Sequence, residues 1–467
     1  MKTKTTDSTD PREATPESSP SHLALRAAEV LGYELFPMPL IAMEKFMFWD
    51  ESADYPKVFR VGLVFAGEID DARLEMAFRI AIQRQPLLCA SIDDSGNTLQ
   101  WFIANQVAIP FHRTGDFERS PFIEPIDIRR EPGIRFWYQS AFEQSELVLE
   151  FHHSACDGIG ARVLLRDWLH AYIELHRCGT IENEFMPLDP ARLQTRGMYK
   201  RVVRTESTRT TSTWEKLVHA YHFHFRGPQP IRLVDRNGRD RFEHRRLQLN
   251  PQQSEAMVEI ARENDCSVND LMVGLCVEAI SRWNSDAAVS RRWQRARILI
   301  PTSHRSAGEL KLPSANRLGF GFVSLSRDQC ESRQRILKET IQQLKMIQQL
   351  QLGLDFVDLF GVASQWEWPT RKVLGLHRCM ATATLSNMGD LTDRFVRMWG
   401  KTGEQLRVGN LVLLGVYGVP PLRPLTRAGI GACKVNGQFC FAAQTESIPG
   451  FAESFFELLR GYVDPSA

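Results

Sequence analysis

About a third of the way along the chain, in FHHSACDGIG, two adjacent histidines, His152 and His153, are followed at short spacing by Asp157 and Gly158. Imidazole, with an unperturbed pKa of about 6.5, accepts a proton from an alcohol or amine at neutral pH, provided one ring nitrogen is fixed as acceptor by what the other meets. One of the two histidines is then a general base. An aspartate placed just before a glycine, which tolerates unusual dihedrals, either orients that histidine or pairs with an arginine elsewhere to brace the turn. Spacing alone leaves both roles open.

Such a turn needs rigid elements on either side. The apolar run ELVLEFHH (146–153) predicts a strand, and ARVLLRDWLHAYIELHR predicts an amphipathic helix that ends before Cys178 and Gly179. The pair therefore sits where a strand turns into a helix, a position that presents side chains into a cleft while the scaffold stays fixed. Upstream, KVFRVGLVFAG reads as a strand, and Leu74, Ala77, Phe78, Ile80 and Ile82 fall at helical spacings behind acidic Asp70 and Asp71. A second globular half opens near Phe242. It carries a proline-initiated helix (251–264), a helix capped by Ser267, strands in RARILIPTSHR and NRLGFGFVSL, and a helix in ILKETIQQLKMIQQLQ. The runs CMATATLSNMGD, NLVLLGVYGV and GQFCFAAQTES supply further strands before a last helix (450–461). Both halves mix strands and helices, an α/β class with α+β layering.

The 467 residues are 43% hydrophobic and 24% charged, which excludes fibrous and wholly disordered classes. Lys and Arg total 57 against 56 Asp and Glu, so no chain-wide charge points to nucleic acid. The nine cysteines are scattered, with no CxxC, which favours a reducing, cytoplasmic setting. No apolar run reaches membrane-spanning length, and no stretch stands out as an amphipathic membrane anchor. Residues 1–21, rich in Thr, Ser, Pro and charge, are expected to be a disordered tail. Residues 192–246 hold 14 Lys and Arg against 5 acids, which reads as a solvated crossover or as a docking patch for phosphate or an acidic partner. His222 and His224 lack further ligands at zinc-like spacing, so no metal site is expected.

FHHSACDGIG resembles the HHxxxDG signature of the chloramphenicol-acetyltransferase-like superfamily, which takes in condensation domains, alcohol acyltransferases, wax ester synthases and polyketide-associated acyltransferases. The likeness extends to GEIDDARLEMAFRIAIQRQPLLCASI, to CSVNDLMVGLCVEAISRW, to ILIPTSHRS with NRLGFGF, and to TLSNMGD, which is similar to the SNxG turn of bacterial-type members. The DFGWG loop of plant-type members is absent.

The resemblance implies two lobes of acetyltransferase-like topology with the active site at their interface: residues 22–205 as the lobe bearing the motif, and 206–467 as the crossover and second lobe. It implies His153 as general base, Asp157 beside it in the catalytic turn as a bracing residue, His152 and Gly158 in support, and Arg305 as the partner of Asp157. Asn316, Ser386 and Asn387 are the expected substrate-binding residues. The implied reaction is acyl transfer from a thioester to a hydroxyl or amine without metal or tightly bound cofactor. The co-substrate is acyl-CoA or, alternatively, an acyl carrier protein, and a monomer is expected. With no GxSxG elbow, no covalent acyl-enzyme is expected, and Cys156 reads as a small buried spacer. A catalytically silent scaffold of the same fold is the remaining alternative.

Overall fold

The computed structural model describes residues 22–96, 98–114, 125–199, 201, 227–233, 241–285, 295–305, 309–376, 378–392, 401–402 and 405–464. The expected tail (1–21) and much of the basic segment, including His222 and His224, lie outside them.

Two large mixed sheets organise the chain. The strands Val58–Ala66 and Gln144–His152 are buried almost throughout, so both faces need cover and they take central places in an eight-stranded sheet. On one side of them follow Ile134–Ser140, Gln106–Arg113 and His22–Arg26; on the other, Leu411–Val419, Gln405–Val408 and Lys401–Thr402. The second sheet runs Leu318–Ser326, Arg295–Ser303, Ala383–Asp390, Ala428–Val435, Gln438–Glu446, Phe242–Gln248.

This order crosses the expected division at residue 205. Leu411–Val419, far along the chain, pairs antiparallel with Val58–Ala66 and brings the two short strands before it into the first lobe's sheet. Without that partner, Val58–Ala66 would be a buried sheet edge with unpaired backbone groups. The first lobe is therefore discontinuous in sequence. Where the chain passes back to the second sheet, Gly418 and Gly431 lie against each other so closely that a Cβ on Gly431 would stand 1.8 Å from the Gly418 carbonyl oxygen.

The helix Asp71–Ile82 starts where Asp70 accepts a hydrogen bond from the Arg73 amide, and the helix Gly158–Cys178 closes on Gly179 with φ of 75°. Both cover the first sheet, with Phe78 and Phe136 each packed edge-on against Trp168. The second sheet is covered by Val268–Ser285, opened by reciprocal Ser267–Asp270 bonds, and by Arg333–Gln349, Pro251–Glu263 and Phe451–Val463. A third apolar cluster ties the lobes together. Phe46, on the short helix Ala42–Trp49, meets Phe320 of the second sheet and Phe356 and Phe360 of the helix Leu352–Ala363.

SNMGD differs from its expected turn. It forms the end of the strand Ala383–Asp390, paired in parallel with Ala428–Val435, with a register shift between Asn387 and Asp390 and Gly389 at φ of 75°. Pairing along an apolar neighbour outweighs the turn-like composition.

Candidate active site

The strand Gln144–His152 delivers His152 and His153 to the interface between the lobes, and the helix beginning at Gly158 carries the chain away. The turn between them is held from both sides. The His153 amide donates to the Lys57 carbonyl at 2.6 Å, within the first lobe. Asn316, from the second lobe, donates through Nδ2 to the His153 carbonyl at 2.6 Å.

Asp157 is fully buried and caps the helix: Oδ1 accepts from the Gly160 amide at 2.6 Å, and Oδ2 accepts from the Arg317 amide at 2.8 Å. Arg305 Nη2 lies 3.6 Å from Oδ1 and donates to the Ala315 carbonyl at 2.8 Å. The carboxylate thus joins a helix start in one lobe to a backbone segment of the other, and it does not line the cavity. Its oxygens are occupied by backbone donors, so it acts on the base as a nearby charge and a brace and takes no direct part in proton transfer. Gly160 completes the junction, because a Cβ there would meet the Cys156 sulfur at 2.7 Å and the Ala315 nitrogen at 3.0 Å. Cys156 is buried, and burial drives its thiol pKa well up.

His153 keeps part of its ring open to a cavity of about 500 Å³ lined from both lobes. Phe59, tilted against it at 4.8 Å between ring centroids, forms one wall, and Leu299, Leu318, Phe320, Leu344 and Ile347 form much of the opposite one. Burial lowers the His153 pKa to about 4, against the opposing pull of the Asp157 charge. The ring is therefore neutral at pH 7. Its Nδ1 is buried and makes no hydrogen bond in good geometry, although the residue's own carbonyl favours a proton on the ring, which leaves Nε2 as the nitrogen open to a bound group.

His152 points the other way. It is fully buried; its Nδ1 accepts from the Ser154 amide at 3.1 Å, so Nε2–H donates to Glu51 Oε2 at 3.0 Å. Glu51 also accepts from the Lys57 amide at 3.0 Å. Burial works against ionisation of Glu51, but these partners outweigh it and hold the carboxyl below its usual range. A second ionic cluster reaches the cavity, where Asp50 is gripped by Lys57 Nζ at 3.0 Å and by Arg423.

Of the residues singled out from sequence, His153, Gly158, Ser386 and Asn387 line the cavity. Nothing lies within 4 Å of a Cβ built on Gly158, so its bare backbone widens the space. Ser386 Oγ faces the same space, while Asn387 Nδ2 is spent on Asn269 Oδ1 at 3.1 Å. Asn316 departs from the expected substrate-binding role: it is fully buried, clamps the His153 carbonyl, and accepts from the Leu318 amide at 3.1 Å. Sequence reading missed Glu51, Lys57, Asp50, Arg317 and Arg423, none of which stands near the motif in the chain.

The described arginines of the basic segment are mostly engaged internally: Arg196 with Glu44, Arg201 with Asp355 and Asp358, Arg241 with Glu446 and Arg246 with Glu146. Among the described residues, no group of three or more His, Cys, Asp or Glu is arranged to hold a metal, and no helix is long and apolar enough to cross a membrane.

Neither a family model nor a curated protein matches the sequence. Solved structures do match. Polyketide synthase associated protein 5 from Mycobacterium tuberculosis aligns at TM-score 0.59 and 15% identity over 92% of this chain and 99% of its own. The starter condensation domain of rhizomide synthetase RzmA, in a mutant solved with C8-CoA and Leu-SNAC, aligns at 0.60 and 15% over 92% and 94%. The EpoB cyclization-docking bidomain from Sorangium cellulosum aligns at 0.58 and 16% over 95% and 88%. The chain has the two-lobed fold of condensation domains and of polyketide synthase associated protein 5.

Proposed function

We propose that the protein transfers an acyl group from a thioester to a hydroxyl or amine held in the cavity between the lobes, with His153 as general base. The observation that carries this reading is the neutral imidazole of His153 on the wall of a largely apolar, two-lobed cavity. His153 Nε2 takes the proton of the acceptor O–H or N–H as that atom attacks the thioester carbonyl carbon. The resulting oxyanion collapses, the C–S bond breaks, and the thiolate leaves with the proton returned by the imidazolium. Ester or amide and free thiol are the products. Ser386, which lines the cavity, is the candidate donor to the oxyanion. The Asp157 carboxylate, close by, favours the transient imidazolium.

Acyl-CoA is the favoured donor. The rhizomide synthetase domain, alike in fold, was solved with C8-CoA. The test is an untargeted screen of acyl-CoA thioesters against alcohols and amines, read as thiol release and product mass. Turnover lost on His153→Ala supports the reading. Salt-sensitive transfer seen only from carrier-bound thioesters would assign the donor to a carrier protein. No turnover with any thioester would leave the scaffold reading.

A further inference from the structure

We infer that Glu51 is a positioning residue for His153, acting through His152 and through the backbone of Lys57. The inference rests on the reading of His153 as general base and adds what holds that base still. Register makes such a hold necessary. The ladder between Val58–Ala66 and Gln144–His152 ends at the pair Val58 with His152, so His153 stands one residue beyond the last rung. Its amide is kept in place by the Lys57 carbonyl at 2.6 Å, and Lys57 itself precedes the strand. The backbone of Lys57 therefore sets where the His153 ring stands, and a strand end of this kind frays unless something fixes it.

Glu51 fixes both strands at that end. Oε1 accepts from the Lys57 amide at 3.0 Å, and Oε2 accepts from His152 Nε2–H at 3.0 Å. The Ser154 amide donates to His152 Nδ1 at 3.1 Å, so the ring proton is confined to Nε2, where a fully buried ring needs an acceptor. A carboxylate offers an oxygen to each of the two donors, whereas a carboxamide of the same shape serves one and turns its NH2 on the other. Glu51 does not line the cavity, so it acts through these neighbours and not on substrate. The loop that carries it is tied to the second lobe. Tyr55 Oη donates to Glu446 at 2.8 Å, Arg241 spans Asp54 and Glu446 at 2.7 and 2.9 Å, and the Asp50 carboxylate is held by Arg423. The placement of the lobes and the placement of the base thus meet at Glu51.

The experiment compares the parent with Glu51→Gln in the full chain, by amide hydrogen exchange and by steady-state kinetics on the thioester and acceptor that the screen above returns. Exchange should quicken by about tenfold or more at the Lys57, His153 and Ser154 amides, and stay that of the parent in the strand Leu411–Val419. The kcat should fall by about tenfold to a hundredfold with KM little changed. In a His153→Ala background the same substitution should bring no further loss, since Glu51 acts through that ring. Glu51→Asp, which keeps both acceptor oxygens on a shorter arm, should recover part of the loss. If the glutamine variant does not fold, Glu51→Asp is compared with the parent directly and should show the same pattern in milder form. Parent-like exchange at Lys57 and His153, exchange quickened throughout the chain, or an equal further loss in the His153→Ala background would each overturn the inference. Parent-like turnover of His153→Ala by itself would instead overturn the assignment of the base, and exchange would still decide whether Glu51 holds the turn.

Discussion

Asn316 and His153, 163 positions apart and in different lobes, are joined by a 2.6 Å hydrogen bond from the asparagine Nδ2 to the histidine carbonyl. With the Lys57 carbonyl accepting from the amide of the same residue, the backbone that carries the proposed base is gripped by both lobes. The cavity and the base are therefore coupled, and any shift of one lobe against the other moves the ring.

The first expectation concerns that grip. Asn316→Ala should lower kcat by about tenfold to a hundredfold with KM changed little, because a misplaced base costs turnover rather than binding. Steady-state kinetics separate the two, and an unchanged pH profile in the surviving activity would mark Asn316 as a positioning residue. A KM effect alone would restore the substrate-binding role expected from sequence.

Asp157 invites a graded comparison. Asp157→Asn keeps an acceptor for the Gly160 amide but removes the charge near Arg305, whereas Asp157→Ala removes both and leaves buried donors unpaired. Urea denaturation should rank the parent above Asn above Ala, with the alanine variant losing about 3 kcal/mol or more. Equal stability of all three would contradict the bracing role.

Two glycines should behave in opposite ways. Gly431→Ala drives a methyl into the Gly418 carbonyl where the chain passes between the sheets, and should cost about 3 kcal/mol or prevent folding. Gly158→Ala meets no atom within 4 Å and should leave the thermal midpoint near that of the parent, while the added methyl narrows the cavity and raises KM.

Acid should destabilise the fold in a defined window. Burial lowers His153, His244 and His304 to about 4 each, whereas an unfolded histidine titrates near 6.5. Between these values the unfolded chain binds more protons, so stability rises with pH and is lost as pH falls from about 6.5 to about 4. Three such groups give a slope of at most about 4 kcal/mol per pH unit. Denaturant midpoints across this window should show it, and His153→Gln should remove about a third of the histidine slope. An equal slope in that variant would contradict the burial of the ring.

Much of the fold is legible in local pattern. The helix Asp71–Ile82 shows its cap in Asp70, and the strand before the motif and the helix after it show in their apolar patterning. The exchange of Leu411–Val419 into the first sheet is not legible, because its apolar run fits either sheet and only the partner it meets decides. The same holds at the site. His152, His153, Asp157 and Gly158 announce themselves by spacing, whereas Glu51 reaches His152 across 101 positions with no local signature. Arg305 was found by resemblance and stands 3.6 Å from Asp157, while the clamping role of Asn316 depends on a backbone carbonyl that no residue type encodes.

The most direct measurement is kcat/KM at pH 7 for the parent and for His153→Ala on the first thioester and acceptor that give turnover. With an intact circular dichroism spectrum, the variant should be slower by roughly two to four orders of magnitude, as expected on losing a general base. Parent-like turnover in the folded variant would remove His153 from the chemistry and with it the proposed mechanism.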